Sequence, residues 1–158
     1  MSMESGMLLP NLEGEDGAEF WAGTARGELL VQACAQCAAW RFPPRPMCPE
    51  CRSLEFTWER ASGNATVWSY VVAHPPLLPA YAELAPYNVI VVALDEDPKI
   101  RMVGNLLAHP DGPINEIDPA SIRIGEAVRV VFQAVDDVTL PRWVRSTEHR
   151  HSEARTNL

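Results

Sequence analysis

The chain has 158 residues, with 13 lysines and arginines against 21 aspartates and glutamates, which gives a formal charge of −8. This length and an ordinary hydrophobic content of 47% fit one domain or two small modules. No apolar run reaches the roughly 20 residues of a spanning helix, and the first residues lack the pattern of a secretory signal. We therefore expect a cytoplasmic protein without a membrane partner. The acidic charge disfavours nucleic-acid binding, and 14 prolines disfavour a helical bundle.

The first elements are a flexible N-terminus, residues 1–14, and a short helix within residues 15–26. The helix is predicted from apolar residues at helical spacing, and it carries Phe20 and Trp21. A helix this short needs a surface to dock on. That surface is either the rest of this chain or a partner protein.

All four cysteines lie within eighteen residues in the spacing C-x2-C-x10-C-x2-C, and they are Cys34, Cys37, Cys48 and Cys51. Two such knuckles present four thiolates to one tetrahedral zinc, and four sulfur ligands leave no open position, so the zinc would be structural. The alternatives are two disulfides in an oxidising compartment, or a rubredoxin-type iron. Ala38 and Arg52 follow the knuckles where glycine is common, so we expect a strained left-handed backbone there.

Short strands make up most of the remaining chain. Strands at 29–31 and 54–58 flank the cysteines, so residues 15–60 are predicted to form the docking helix and a zinc ribbon. Residues 61–145 are predicted to hold five further strands, at 65–73, 87–94, 100–107, 127–135 and 140–144. The strand at 87–94 is expected to be buried on both faces, and Gly104 is a candidate bulge. Five strands fit an OB-fold barrel, with a small sandwich as the alternative, and residues 146–158 are expected to be disordered.

Two features are candidate binding surfaces. The proline-rich loop at residues 75–86 is unusually apolar, so it either folds back over the barrel or is buried in a partner protein. Its apolar residues are Leu77, Leu78, Tyr81 and Leu84. Arg41 and Arg45 lie between the knuckles and form a local basic spot, which either meets the phosphates of a ligand or the carboxylates of a partner, or is simply solvated.

Catalytic motifs are not found in the sequence. There is no nucleophile elbow, no glycine-rich phosphate loop and no convincing pair of carboxylates. His74 opens the apolar loop, His109 is expected at the surface, and His149 and His151 lie in the tail. We therefore expect a chain that does no chemistry on its own.

Several motifs together resemble a known family. They are Phe20-Trp21, the first knuckle, the stretch Trp40 to Arg45 containing Phe-Pro-Pro-Arg, the second knuckle, and the strand containing Thr66-Val67-Trp68-Ser69-Tyr70. This order is similar to that of the acyl-CoA-associated proteins built from a rubredoxin-like zinc ribbon and an OB fold, the domain-of-unknown-function family 35. The resemblance extends over residues 20–144, with Asp95-Glu96-Asp97 as a departure from the usual turn.

The resemblance implies an accessory subunit rather than a self-contained enzyme. Members of this family commonly pair with thiolase-like proteins that act on acyl-CoA thioesters, in some systems as a lyase that performs retro-aldol cleavage during steroid side-chain degradation. It implies one structural zinc, catalytic residues on the partner, and acyl-CoA bound through the heteromeric complex, with Arg41 and Arg45 as candidates for contact with the CoA phosphates. The alternatives are a stand-alone acyl-CoA or small-ligand binding module, and an OB-fold binder of single-stranded nucleic acid.

Overall fold

A computed structural model describes residues 6–147 of the chain. The first helix, α1, comprises Ala18–Ala25 and follows a turn in which the Gly17 N–H donates to the Gly14 carbonyl at 3.0 Å. The helix ends at Ala25, and Gly27, which follows the C-cap Arg26, has a φ of +76°, the left-handed conformation that is favoured after a helix terminus. The predicted helix is therefore confirmed, although it starts three residues later than expected.

Three antiparallel strands form the ribbon, and they are β1 (Leu30–Cys34), β2 (Trp40–Arg41) and β3 (Phe56–Arg60). The strand order is β2-β1-β3, so β1 lies in the centre and contacts α1. All five residues of β1 are consequently buried.

The remaining strands form the barrel, with a one-turn helix α2 (Pro79–Ala82) between the first two. They are β4 (Asn64–Ala73), β5 (Tyr87–Leu94), β6 (Arg101–Gly104), β7 (Leu106–Leu107), β8 (Ala127–Val135) and β9 (Val138–Arg145). Their order is β6-β5-β4-β8-β9-β7. Because only Asn105 separates β6 from β7, the two ends of the sheet belong to one interrupted strand, and the sheet closes.

The closing contact is the parallel pairing of β7 with β9, where Leu106 faces Trp143 and Leu107 faces Val144. Counting β6 and β7 as one strand gives the five strands of the predicted OB fold, and the sandwich alternative is excluded. The chain is thus a mainly β protein with an N-terminal helix, a zinc ribbon and an OB-fold barrel. The predicted strand at 100–107 is interrupted at Asn105, one residue after Gly104.

The prediction that the strand at 87–94 is buried on both faces is wrong. Along β5, fully buried residues alternate with half-buried ones, because the outer face of the barrel has no covering helix there. The inward residues are Asn88, Ile90, Val92 and Leu94. Asn88 lies within the predicted apolar strand, but it is a buried polar residue whose side-chain amide bonds Leu106 across the barrel.

The main core joins the ribbon to the barrel. Phe20 of α1 and Val31 of β1 pack in the same cluster as Ile90 and Trp143 of the barrel. A second, smaller cluster around Leu107, Ile114 and Val131 lies under the loop that follows β7. Within residues 6–147 no helix is both long and apolar enough to cross a lipid bilayer. The predicted tail from residue 148 onward, with His149 and His151, lies outside the described residues.

Candidate functional site

The four cysteine thiols converge on one point. Their Sγ atoms all lie within 4.8 Å of one another, with 3.5 Å between Cys34 and Cys51 and 3.7 Å between Cys37 and Cys48. A tetrahedral zinc with bonds of about 2.3 Å holds its sulfurs about 3.8 Å apart. The spacing therefore fits one ZnS4 site without rearrangement of the chain.

The two knuckles have the same backbone geometry. The Ala38 N–H donates to the Cys34 carbonyl at 2.9 Å, and the Arg52 N–H donates to the Cys48 carbonyl at 3.0 Å. Ala38 has a φ of 61° and Arg52 a φ of 65°. Both predicted left-handed residues are confirmed, and each costs about 1–2 kcal/mol relative to a relaxed backbone.

The electrostatics of the thiols also favour a cation. The N–H groups of Cys37 and Gln36 point at the Cys34 sulfur and lower its pKa to about 6. The Ala39 N–H lowers the pKa of Cys37, but burial and the neighbouring sulfurs outweigh it and raise this pKa to about 12. Four crowded thiols cannot all ionise by themselves, whereas a divalent cation stabilises all four thiolates.

Zinc fits this donor set, and the site is a structural one because all four ligands come from the protein. Cys34 and Cys48 would hold the metal from the buried side, and Cys37 and Cys51 from the exposed side. When bound, the zinc supplies cross-linking of the two knuckles and no open position for chemistry.

Arg41 lies inside the ribbon rather than at its surface, with 3% of the residue exposed. Its Nε donates to Gln32 Oε1 at 2.8 Å and to the Arg45 carbonyl at 3.2 Å, and its guanidinium lies 5.0 Å from the centre of the Phe56 ring. The Arg45 N–H donates to the same Gln32 oxygen at 2.9 Å. Of the predicted basic pair, only Arg45 faces solvent, and contact with CoA phosphates stays a prediction for it.

The predicted apolar loop divides between the two alternatives. Leu84 packs against the second core cluster, and the Tyr81 ring lies 6.2 Å from the Tyr87 ring. The Tyr81 hydroxyl also accepts a hydrogen bond from the Leu8 N–H at 3.2 Å. Leu77 is half-buried, while Leu78 is 56% exposed and remains available to a partner.

Phe20 and Trp21 dock within the chain itself. Phe20 is 4% exposed and lies 4.9 Å from Trp21 and 5.4 Å from Phe42, ring centre to ring centre. Trp21 is half-buried beside it. This leaves α1 with little apolar surface to offer a partner. His74 and His109 are both exposed, and His109 Nε2 lies 3.4 Å from Glu116 Oε2.

Two groups of residues at the surface and in the interior are not predicted from the sequence. One is an exposed apolar area on the outer face of β4–β6, with Val71 at 62% and Val103 at 67% exposure and Trp68 stacked under Arg101 at 3.7 Å. The other is a buried polar network that includes Asn105 and Arg142. The one sequence signal for the network is an arginine, Arg142, between the apolar residues Pro141 and Trp143 of β9.

Known proteins share both halves of this architecture. The family model described as the ChsH2 rubredoxin-like zinc ribbon domain matches residues 21–57. The model described as the ChsH2 C-terminal OB-fold domain matches residues 58–133. Together the two matches span most of the chain.

Curated relatives fall into two kinds. The chain is 36% identical to a probable enoyl-CoA hydratase alpha subunit of Thermomonospora curvata and 32% identical to the 3-oxo-4,17-pregnadiene-20-carboxyl-CoA hydratase alpha subunit of Mycobacterium tuberculosis, over 80% and 87% of its own length. It spans only 36% and 40% of the length of these two relatives. It is 34% identical to a DUF35 domain-containing scaffold protein of Methanothermobacter thermautotrophicus, over 70% of this chain and 75% of that one.

Among solved structures, the chain is similar to one titled Ltp2-ChsH2(DUF35) aldolase. The TM-score is 0.73 at 34% identity, and the match covers 86% of this chain and 98% of that chain. These matches confirm the resemblance drawn from the knuckles and the strands that follow them. The chain belongs to the ChsH2-type DUF35 family of proteins, built from a rubredoxin-like zinc ribbon and an OB-fold domain.

Proposed function

We propose that this chain is the non-catalytic accessory subunit of a thiolase-like enzyme that acts on an acyl-CoA, as an aldolase that cleaves a β-hydroxyacyl-CoA. The observation that carries the proposal is the match to the Ltp2-ChsH2(DUF35) aldolase structure, because it covers 98% of that chain. The name of the Mycobacterium tuberculosis relative adds a steroid-derived CoA thioester as a candidate substrate class. The scaffold name of the archaeal relative agrees with a supporting role.

In this proposal the chain acts through its shape. The zinc fixes the two knuckles, and Gln32 and Arg41 hold the connection between them from inside. The ribbon and barrel share one core, so they present a single rigid surface to the partner. Arg45 is exposed at that connection and is our candidate for contact with a CoA phosphate.

The exposed part of the apolar loop is our candidate docking element. Leu78 lies 56% exposed at the start of α2, within a segment that contains four prolines. A segment stiffened by proline loses little conformational entropy when it docks. We propose a complex in the cytoplasm, where free thiols stay reduced and can bind zinc.

Co-expression with a candidate thiolase-like partner protein tests the assembly. We expect one complex in size-exclusion chromatography with light scattering, and Leu78→Glu should weaken it at least about tenfold by placing a charge in an apolar contact. Ile124→Glu is the matched control, since Ile124 is 67% exposed and lies at the opposite end of β4, beside Val67. Separate elution of the two wild-type proteins would refute the proposal.

Calorimetry distinguishes the alternative of a stand-alone acyl-CoA module. We expect an acyl-CoA such as decanoyl-CoA to release heat with the complex and none with the isolated chain. Tight binding to the isolated chain, with no complex formed, would favour the binding module instead.

A further inference from the structure

Three cavities adjoin on one side of the barrel, and all three are lined by Arg142. Their volumes are about 440, 290 and 210 Å³. The largest cavity lies between α1, the residues directly after β2, and strands β6 and β9. Its size falls in the range of small-molecule sites.

Arg142 is a buried cation that has no anionic partner among residues 6–147. It is 9% exposed, its Nε donates to Gln133 Oε1 at 3.3 Å, and its Nη1 donates to Asn105 Oδ1. The ion pairs among residues 6–147 involve other arginines and His109, and none includes Arg142. Its hydrogen bonds to described residues are made by Nε and Nη1, and none is made by Nη2, while the residue itself lines all three cavities.

The surroundings hold Arg142 in place and increase the cost of its unpaired charge. Gln133 is fixed by the Gly112 carbonyl, to which its Nε2 donates at 2.9 Å. Burial lowers the pKa of Arg142 from its ordinary value, because the charged form is removed from water. An anion bound at Nη2 would offset the cost of this buried charge through a charge-assisted hydrogen bond.

The largest cavity combines positive charge with an apolar wall. Its apolar lining includes Trp21, Phe42, Met102 and Leu140. Arg101 is its second cation, and none of the described residues that line any of the three cavities is acidic. In a chain with a net charge of −8, this is a local reversal of charge.

We propose that this chain itself binds an apolar carboxylic acid, with the carboxylate on Arg142 and the hydrocarbon in the cavity beside Trp21 and Phe42. A carboxylate matches the planar guanidinium, and the apolar wall buries the hydrocarbon. The inference goes beyond the proposed function and is independent of it, because the site lies within one chain and needs no partner.

Calorimetry of the zinc-loaded full chain with decanoate tests this directly. We expect a dissociation constant of about 0.1 mM, the scale that ligand efficiency allows for such a molecule. Decanol has the same hydrocarbon without the charge, and decylamine has the opposite charge. Both should bind at least about tenfold more weakly, since one charge-assisted contact of this kind is worth about a factor of ten. Decanol bound as tightly as decanoate, or no decanoate binding at 1 mM, would overturn the site.

Two variants locate the site. Arg142→Gln should lower the affinity for decanoate at least about tenfold while leaving the affinity for decanol within about twofold.

Because Arg142 also bonds Asn105 and Gln133, a second variant leaves this network intact. Val103→Glu places a carboxylate at the edge of the largest cavity and should repel decanoate, whereas Val71→Glu should not. Val71 is the matched control, because it is exposed on the same outer face and lines none of the three cavities. Equal decanoate affinity in Val103→Glu and Val71→Glu would also overturn the site.

Discussion

Gln32 holds the segment between the two knuckles from inside the ribbon. Its side-chain oxygen accepts from Arg41 Nε at 2.8 Å and from the Arg45 N–H at 2.9 Å, and the residue is completely buried. A single buried acceptor therefore sets the path of the chain between the metal ligands. The burial of the arginine depends on this acceptor.

Gln32→Ala should destabilise the protein by about 2–3 kcal/mol, because it removes the acceptor of the Arg45 N–H and leaves the buried Arg41 Nε–H with only its longer bond to the Arg45 carbonyl. Urea unfolding of the zinc-loaded protein measures the change. Gln36→Ala is the matched control: Gln36 is exposed and its side chain bonds Glu55 at the surface, so removal of that side chain should change stability by no more than about 0.5 kcal/mol. Equal effects of the two substitutions would contradict the role given to Gln32.

Ala38→Gly should stabilise the folded protein by about 0.5–1 kcal/mol. Glycine removes the left-handed strain at Ala38, whose φ is 61°, and this gain exceeds the extra entropy of the unfolded chain. Ala35→Gly in the same knuckle should instead destabilise by about 0.5–1 kcal/mol, because Ala35 is not among the residues with positive φ. Urea unfolding of both variants measures the difference. A loss of stability in Ala38→Gly would show that the backbone at Ala38 is not strained.

At this scale the sequence predicts residues whose role is local and misses those whose role depends on distant neighbours. The cysteine spacing and the positions after each knuckle determine the ligands and the left-handed residues. The burial of Arg41 depends on Gln32 and on Phe56, which belong to other strands. The local sequence around Arg41, taken alone, predicts an arginine at the surface.

The ribbon depends on its metal more than the barrel does. Its three strands contain two, five and five residues, and its last connection is a knuckle rather than a packed turn. The barrel instead closes on itself and has its own buried residues in β4 to β9. Loss of the metal should therefore affect the two parts unequally.

Cys48→Ser should reduce the metal content from about one zinc per chain to nearly none and should unfold the ribbon. Elemental analysis gives the zinc content, and hydrogen exchange localises the loss to residues 30–60. Ala35→Ser, inside the first knuckle but without a ligand role, is the control and should keep its zinc. Iron in place of zinc, or a disulfide found by mass spectrometry in the wild-type protein, would contradict the assigned centre.

Asn88 and Asn105 close the barrel where the third strand is interrupted. Asn88 Nδ2 donates to the Leu106 carbonyl at 2.9 Å, and the Leu106 N–H donates to Asn88 Oδ1 at 2.7 Å. Asn105 donates to the Asn88 carbonyl, so each asparagine supports the other. This pairing replaces regular sheet hydrogen bonds at the junction of β6 and β7.

Asn88→Ala should destabilise the protein by about 2–4 kcal/mol, because it removes two buried hydrogen bonds and leaves Leu106 backbone groups unpaired. Asn64→Ala, an exposed asparagine at the start of β4, should change stability by no more than about 0.5 kcal/mol. Thermal and urea unfolding both report the difference. A small effect at Asn88 would show that the barrel closes without this pairing.

Strand alternation predicts five strands and their order along the chain, so the OB fold follows from it together with the resemblance. It does not predict that one strand breaks at Asn105, because the break depends on an asparagine from β5. It also does not reveal the faces of β5, since a run of apolar residues fits burial on one side or two. Val71 and Val103, on the strands beside β5, are exposed to solvent, so only the inner face of the sheet is buried.

For the whole molecule, the ribbon and barrel form one body through a shared core, in which Phe20 and Val31 meet Ile90 and Trp143. The apolar surface that remains exposed includes Leu78 on the loop and Val71 and Val103 on the outer barrel face. The cavities beside Arg142 bring together residues from positions 7 to 142. Such a site cannot be predicted from local sequence patterns, because it exists only once the helix, loop and strands have docked.

Acyl-CoA turnover by the candidate thiolase-like partner, with and without this chain, tests whether the chain supports such an enzyme without supplying its chemistry. The rate of acyl-CoA cleavage should be measured for each protein alone and for the two together. We expect no turnover by this chain, little by the partner, and at least about tenfold more by the complex, in line with gains from positioning alone. The same rate for the partner with and without this chain would contradict a supporting role for this chain.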